Sequence, residues 1–138
     1  MEDNIISMPD RPVIACDMST APDTPDERTA EYGRLFGQHL LGKERTAEGI
    51  RFRLRAAEGV EAWVRDLSAR EKACCPFADF EIATADEEVR WDITVVDDDL
   101  ARAALDEFYQ VPEMTSAGED WRVMGQRLAD RGFSITTR

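Results

Sequence analysis

Three cysteines carry the reactive chemistry of this sequence: Cys16, and the adjacent Cys74 and Cys75 within Glu71-Lys72-Ala73-Cys74-Cys75-Pro76-Phe77. Thiolates are nucleophiles and soft-metal ligands, so their spacing decides what they can do. Neighbouring Cα atoms lie about 3.8 Å apart, below the usual disulfide separation of about 4.4 to 6.8 Å, and a Cys74–Cys75 bond would be strained. Free thiols, a shared soft ion, or a bond from one of the pair to Cys16 are all easier. Because the residue before a proline is pushed toward extended backbone, Pro76 predicts a helix that ends near Cys74 and a Cys75 that leaves in another direction.

Glu71 belongs to the same constellation. Val60, Leu67 and Cys74 fall seven apart along one helical line and Glu71 lies four beyond Leu67, which places a carboxylate on an inward face. A buried lone charge is costly, so Glu71 requires a partner, either the thiol three residues on or an arginine across the core. A site of Cys16, Cys74, Cys75 and Glu71 would offer three sulfurs and one oxygen. That set suits Cu(I), Hg(II) or As(III), and also Zn(II), although a closed zinc site would have to recruit His39 for lack of a C-x-x-C pair. Alternatively Cys74 or Cys75 is a nucleophile with Glu71 as its base and another cysteine resolving. In a third reading the cysteines are buried and inert, since unbonded cysteine packs well in cores. A helix C-terminus also disfavours a thiolate.

These residues need a scaffold. Val13-Ile14-Ala15-Cys16 is compatible with a short strand, and Asp17 to Pro25 reads as a connection. Thr24 can cap a helix with Pro25 in its first turn, running to about Leu41 with Tyr32, Leu35, Phe36, His39 and Leu40 inward. Gly33 and Gly37 weaken that helix or allow close packing. Ile50 to Arg55 alternates strictly, with Arg51, Arg53 and Arg55 on the outer side, and Glu81 and Asp92 are the expected carboxylate partners.

A helix from about Glu58 to Cys74 follows, then a hairpin of Phe80–Thr84 and Val89–Val95 around Asp86-Glu87. Asp97 or Asp98 caps a helix bearing Leu100, Ala103, Ala104 and Phe108; Asp97-Asp98-Asp99 reads better as cap and dipole partners than as a hard-cation site. Pro112 breaks the pattern, and Ser116-Ala117-Gly118-Glu119 resembles a capping box for a last helix with Trp121, Met124 and Leu128, ended by Gly132. Phe133 to Arg138 is a short strand or a packed tail. Trp63, Trp91 and Trp121 fall on inward faces. The predicted order is β-α-β-α-β-β-α-α, an α+β fold in two layers with helices covering one face of a mostly antiparallel sheet.

The 138 residues fit one domain, with Met1 to Arg11 a loose arm and 114–138 a helical extension. No apolar run spans a membrane. A net charge of −12 repels a phosphate backbone, which excludes nucleic acid as a natural partner and leaves a metal ion or small molecule. A homodimer joined through the sheet edge or last helix accompanies the inert-cysteine reading. The acidic start lacks a secretory pattern, so a cytoplasmic location is expected, where a structural disulfide framework is not.

The pattern of Cys16, the basic strand Ile50 to Arg55, and Glu71, Cys74, Cys75, Pro76, Phe77 and Phe80 resembles a group of small bacterial proteins. They share an early cysteine and a Glu-x-x-Cys-Cys-Pro-Phe motif, and are sometimes associated with heavy-metal regulation or resistance. The resemblance covers about two thirds of the chain, from Cys16 through the Val89–Val95 strand. Ala73 stands where that motif often has an acidic residue. The resemblance implies a soft-metal thiol protein acting in sequestration, transfer or sensing.

Overall fold

The computed structural model describes residues 13–137; the expected arm from Met1 to Arg11 lies outside them. The elements are β1 (Cys16–Asp17), α1 (Pro25–His39), β2 (Leu40–Arg45), β3 (Gly49–Arg55), α2 (Val60–Cys74), β4 (Ala78–Ala85), β5 (Glu88–Val95), α3 (Asp99–Tyr109), α4 (Val111–Ser116), α5 (Trp121–Ala129) and β6 (Ile135–Thr136). The architecture is α+β. A four-stranded sheet runs β2-β3-β5-β4, each neighbour antiparallel, while β1 and β6 form a separate parallel clasp.

Alternation explains the sheet. Ile50, Phe52 and Leu54 face Ile93, Trp91 and Val89 in register across β3 and β5, and all six are buried under the helices. The opposite face is polar: Arg51 pairs with Asp92 at 2.7 Å, and Arg53 with Glu44 at 3.0 Å and Glu88 at 3.3 Å. The arginine row is therefore a cross-strand charge ladder, as expected for Asp92. Glu81 instead lies opposite Asp92 in the register. Gly49 opens β3 at a position where a Cβ would come within 2.0 Å of the Ile93 carbonyl oxygen, so only glycine fits. The β4–β5 hairpin turns on Asp86 and Glu87, both at positive φ, which matches the right-handed twist of the strands.

Helix α1 starts as expected. Thr24 accepts from the Glu27 amide and the Glu27 side chain returns to the Thr24 amide, with Pro25 in the first turn. It ends at His39, two residues early, because Leu40 begins β2, an edge strand with a register shift between Leu40 and Gly42. Sequence periodicity does not predict β2. At Gly33, where α1 faces α4, a Cβ would meet Thr115 at an ordinary contact distance of 3.4 Å, so the close packing there does not require glycine.

Asp98 caps α3 by accepting from the Leu100 and Ala101 amides, and Arg102 joins Asp97 and Asp99, so the aspartate run serves the helix start. Two expectations need correction. Pro112 does not simply break the chain; it stands in the first turn of α4, where its missing N–H is harmless. The last helix is capped by Asp120, which accepts from the Arg122 amide, and not by Ser116, which ends α4. The tail after Phe133 is a strand, β6, and the observed order gains β2, α4 and β6 over the predicted one.

Candidate functional site

The C-terminal end of α2, the first half of α1 and the β1–β6 clasp meet at one place. Pro76 stops α2 as predicted: the Cys75 amide still donates to the Glu71 carbonyl at 2.7 Å, and Cys75 then turns to φ −125°. The clasp aligns Cys16 with Ile135, and the Cys16 amide donates to the Ser134 carbonyl at 3.1 Å. This brings Cys16 against the turn at Cys75, Cα to Cα 4.6 Å, and the two are joined by a disulfide across 59 positions of sequence. A structural disulfide framework was not expected, but a bond from one of the adjacent cysteines to Cys16 was among the open arrangements, and it is the one found. The Cα separation lies inside the range a disulfide accepts.

The turn sends Cys74 elsewhere. Cys74 is the one unbonded cysteine among the described residues, and it is buried. Its sulfur accepts from Arg28 Nη1 at 3.6 Å. Burial pushes the Cys74 thiol up, outweighing the pull of the neighbouring guanidinium. Cys74 at neutral pH is thus a protonated thiol and not an activated nucleophile. Among the described residues no three His, Cys, Asp or Glu side chains stand together as a metal-ligating group. Cys16 and Cys75 are bonded to each other, and Cys74 and Glu71 both face Arg28.

Glu71 lies on the inward face and its partner is the arginine across the core. Arg28 is only 3% exposed, pairs with Glu71 through Nη1, and is gripped from the other side by Asp23 at 2.6 and 2.9 Å. Arg70 extends the network to Asp23 at 2.9 Å, Glu31 at 2.8 Å and Asp66 at 2.7 Å, while the Trp63 indole donates to Glu31 at 2.7 Å. Two arginines therefore hold four carboxylates. Hydrogen bonds from Arg28 and Arg70 keep Asp23 and Glu31 below the ordinary carboxylate range. Glu71 is pushed up, because burial outweighs Arg28. The Tyr32 hydroxyl lies near the same carboxylate yet makes no hydrogen bond of normal geometry, and burial raises it well above the usual phenol.

These groups wall one end of a cavity of about 150 Å³, lined by Cys16, Cys74 and Cys75 at that end and otherwise by apolar side chains of the sheet and of α3, α4 and α5. Arg28, Asp23 and Arg70 are the site residues that motif reasoning missed. Arg28 had a signal: it stands four residues before Tyr32 on the buried stripe of α1. His39, weighed as a zinc ligand, instead has its ring 6.2 Å from that of Trp63.

The sequence matches no family model, no curated protein and no solved structure. Among the described residues no helix is long and apolar enough to cross a membrane.

Proposed function

We propose that this chain is a thiol–disulfide redox protein of the cytoplasm in which Cys16 and Cys75 are the exchanging pair. The observation that carries this reading is the Cys16–Cys75 bond at the wall of the cavity, one residue from an unbonded thiol. In a reducing compartment a disulfide is more often reactive than structural. Cys16 is the more accessible sulfur, half-buried where Cys75 is buried. A thiolate of a small-molecule or protein dithiol attacks Cys16 Sγ, the Cys16–Cys75 bond breaks, and Cys75 leaves as a thiolate that takes a proton. The second thiolate of the dithiol then displaces Cys16, so that two electrons and two protons reach the protein and the dithiol leaves oxidised. Arg28 and Glu71 fix the end of α2 from which Cys75 departs.

Equilibration against graded ratios of reduced and oxidised dithiothreitol tests this. Thiol counts taken after acid quenching and unfolding of each equilibrated sample should pass reversibly from one to three, with the circular dichroism of the fold retained before the quench. A count that stays at one at every ratio under which the fold persists makes the bond a structural staple.

A second reading rests on the same contact. Once reduced, Cys16 and Cys75 present two sulfurs side by side, a fit for the two-coordinate preferences of Cu(I) or Hg(II). Zn(II), which wants four ligands, and As(III), with three thiolates, would also need Cys74 turned away from Arg28. The resemblance around Cys-Cys-Pro-Phe points toward such soft-metal handling. Competition of the reduced protein with a Cu(I) chelator should show one ion per chain, lost in Cys16→Ser; no uptake by the reduced protein removes this reading.

A further inference from the structure

The cavity beside the sulfurs is large for an accident of packing. It is a half-open, largely apolar pocket, and at about 150 Å³ it has the volume that takes a ring-sized molecule. Phe80, Phe108, Met114, Met124, Leu128 and Phe133 are among the apolar side chains that line it, and methionines adapt their shape to an occupant.

The polar groups on its wall define the occupant's head. Tyr32 lines the cavity and is buried, and its hydroxyl, although beside the Glu71 carboxylate, makes no hydrogen bond of normal geometry, so a better-placed acceptor would relieve the cost of burying it. Arg28 is poorly placed to serve an incoming anion, because Asp23, Glu71 and Cys74 already take four of its five N–H donors and the two carboxylates neutralise it. The Glu71 carboxylate at the same wall would repel one.

The geometry points to a ligand site for a small neutral molecule with a ring-sized apolar body and one hydrogen-bond acceptor, held by the Tyr32 hydroxyl beside the Cys16–Cys75 pair. It names the class of compound the redox site would meet, and rests on that reading only for the occupant's role next to the sulfurs. The site itself stands on the cavity and the orphan hydroxyl.

Titration of the full chain by heteronuclear NMR with acetophenone, ethylbenzene and benzoate tests it. Acetophenone carries ring and acceptor, ethylbenzene the ring alone, and benzoate adds a charge. Saturable shifts should map to α3, α5 and β4, with ethylbenzene about tenfold weaker, the worth of one net hydrogen bond, and benzoate without effect. Tyr32→Phe, which removes only the unpaired hydroxyl and keeps the ring, should erase the difference between the two neutral probes. Ala104→Phe, which fills the cavity from α3, should abolish both.

No saturable binding of either neutral probe by the wild-type chain overturns the proposal, as does benzoate binding as well as acetophenone, or unchanged discrimination in Tyr32→Phe. The dithiol equilibration is read separately. A disulfide that never exchanges in a protein that binds acetophenone defeats the redox reading alone, and an exchanging disulfide in a protein that binds neither probe defeats the ligand site alone.

Discussion

Removing the Cys16–Cys75 bond is the perturbation whose size can be worked from the fold. The bond closes a loop across 59 positions, and the loop-closure entropy it removes from the unfolded chain corresponds to about 4 kcal/mol at 25 °C. Cys16→Ser/Cys75→Ser, or the wild type in excess dithiothreitol, should therefore unfold at lower urea by about 2 M, for a slope of about 2 kcal/mol/M. By the same cycle, folding favours the bond by that amount, which lowers the potential of the pair by about 90 mV relative to the unfolded chain. The main sheet should survive. Its buried residues Ile50, Phe52, Leu54, Val89, Trp91 and Ile93 lie in β3 and β5, whereas the bond ties down β1, and through it β6. Urea titrations followed by circular dichroism, with and without reductant, measure the first quantity, and amide exchange locates the loosening. A reduced protein that is unfolded in water would refute the reasoning, since a redox protein must keep its fold in both states. Loosening spread evenly over β3 and β5 would contradict the peripheral placement of the clasp.

Arg28→Met should destabilise the protein by about 3 kcal/mol, because it leaves the largely buried Glu71 without its counter-charge and Asp23 with Arg70 alone, and Arg28→Met/Glu71→Met should regain part of that in chemical denaturation. Asp23 and Glu31 are held low in the folded state, so the unfolded chain binds more protons below pH 4.5: their contribution is complete above that and disappears as pH falls through the folded values. Asp23→Asn and Glu31→Gln should flatten the acid limb of a stability–pH curve. Cys74 should react slowly with iodoacetamide in the native protein, with its rate still rising above pH 9, the ordinary thiol value, and at free-thiol speed after denaturation. Fast alkylation at neutral pH would contradict its burial.

Elements with strong local signals were legible in the sequence. The alternation of β3 and β5, the Thr24 capping box and the stop at Pro76 each follow from a few neighbouring residues. β2 was not legible, because Leu40-Leu41-Gly42-Lys43-Glu44-Arg45 has no alternation and is placed by remote partners, the β3 strand on one side and Tyr109, Asp106 and Glu113 through Lys43 and Arg45. Glu71 was found because it interrupts an apolar stripe, and its need for a partner left the thiol three residues on or an arginine across the core. That the arginine is Arg28 depends on how α1 packs against α2. The meeting of Cys16 with Cys75 depends on the parallel pairing of two-residue strands more than a hundred positions apart, and no local pattern encodes such a pairing. It is also why three sulfurs expected as one ligand set divide into a bonded pair and a thiol turned toward Arg28.

The two outer strands bear on how copies of this molecule behave when crowded. β2 is kinked by its register shift and carries Lys43, Glu44 and Arg45, while the rim on the other side, β4, presents Asp79, Glu81 and a run of exposed residues through Ala85. Irregular and charged rims are poor templates for a foreign strand. The sheet is thereby guarded against growing from molecule to molecule, even when reduction loosens the clasp at β1 and β6.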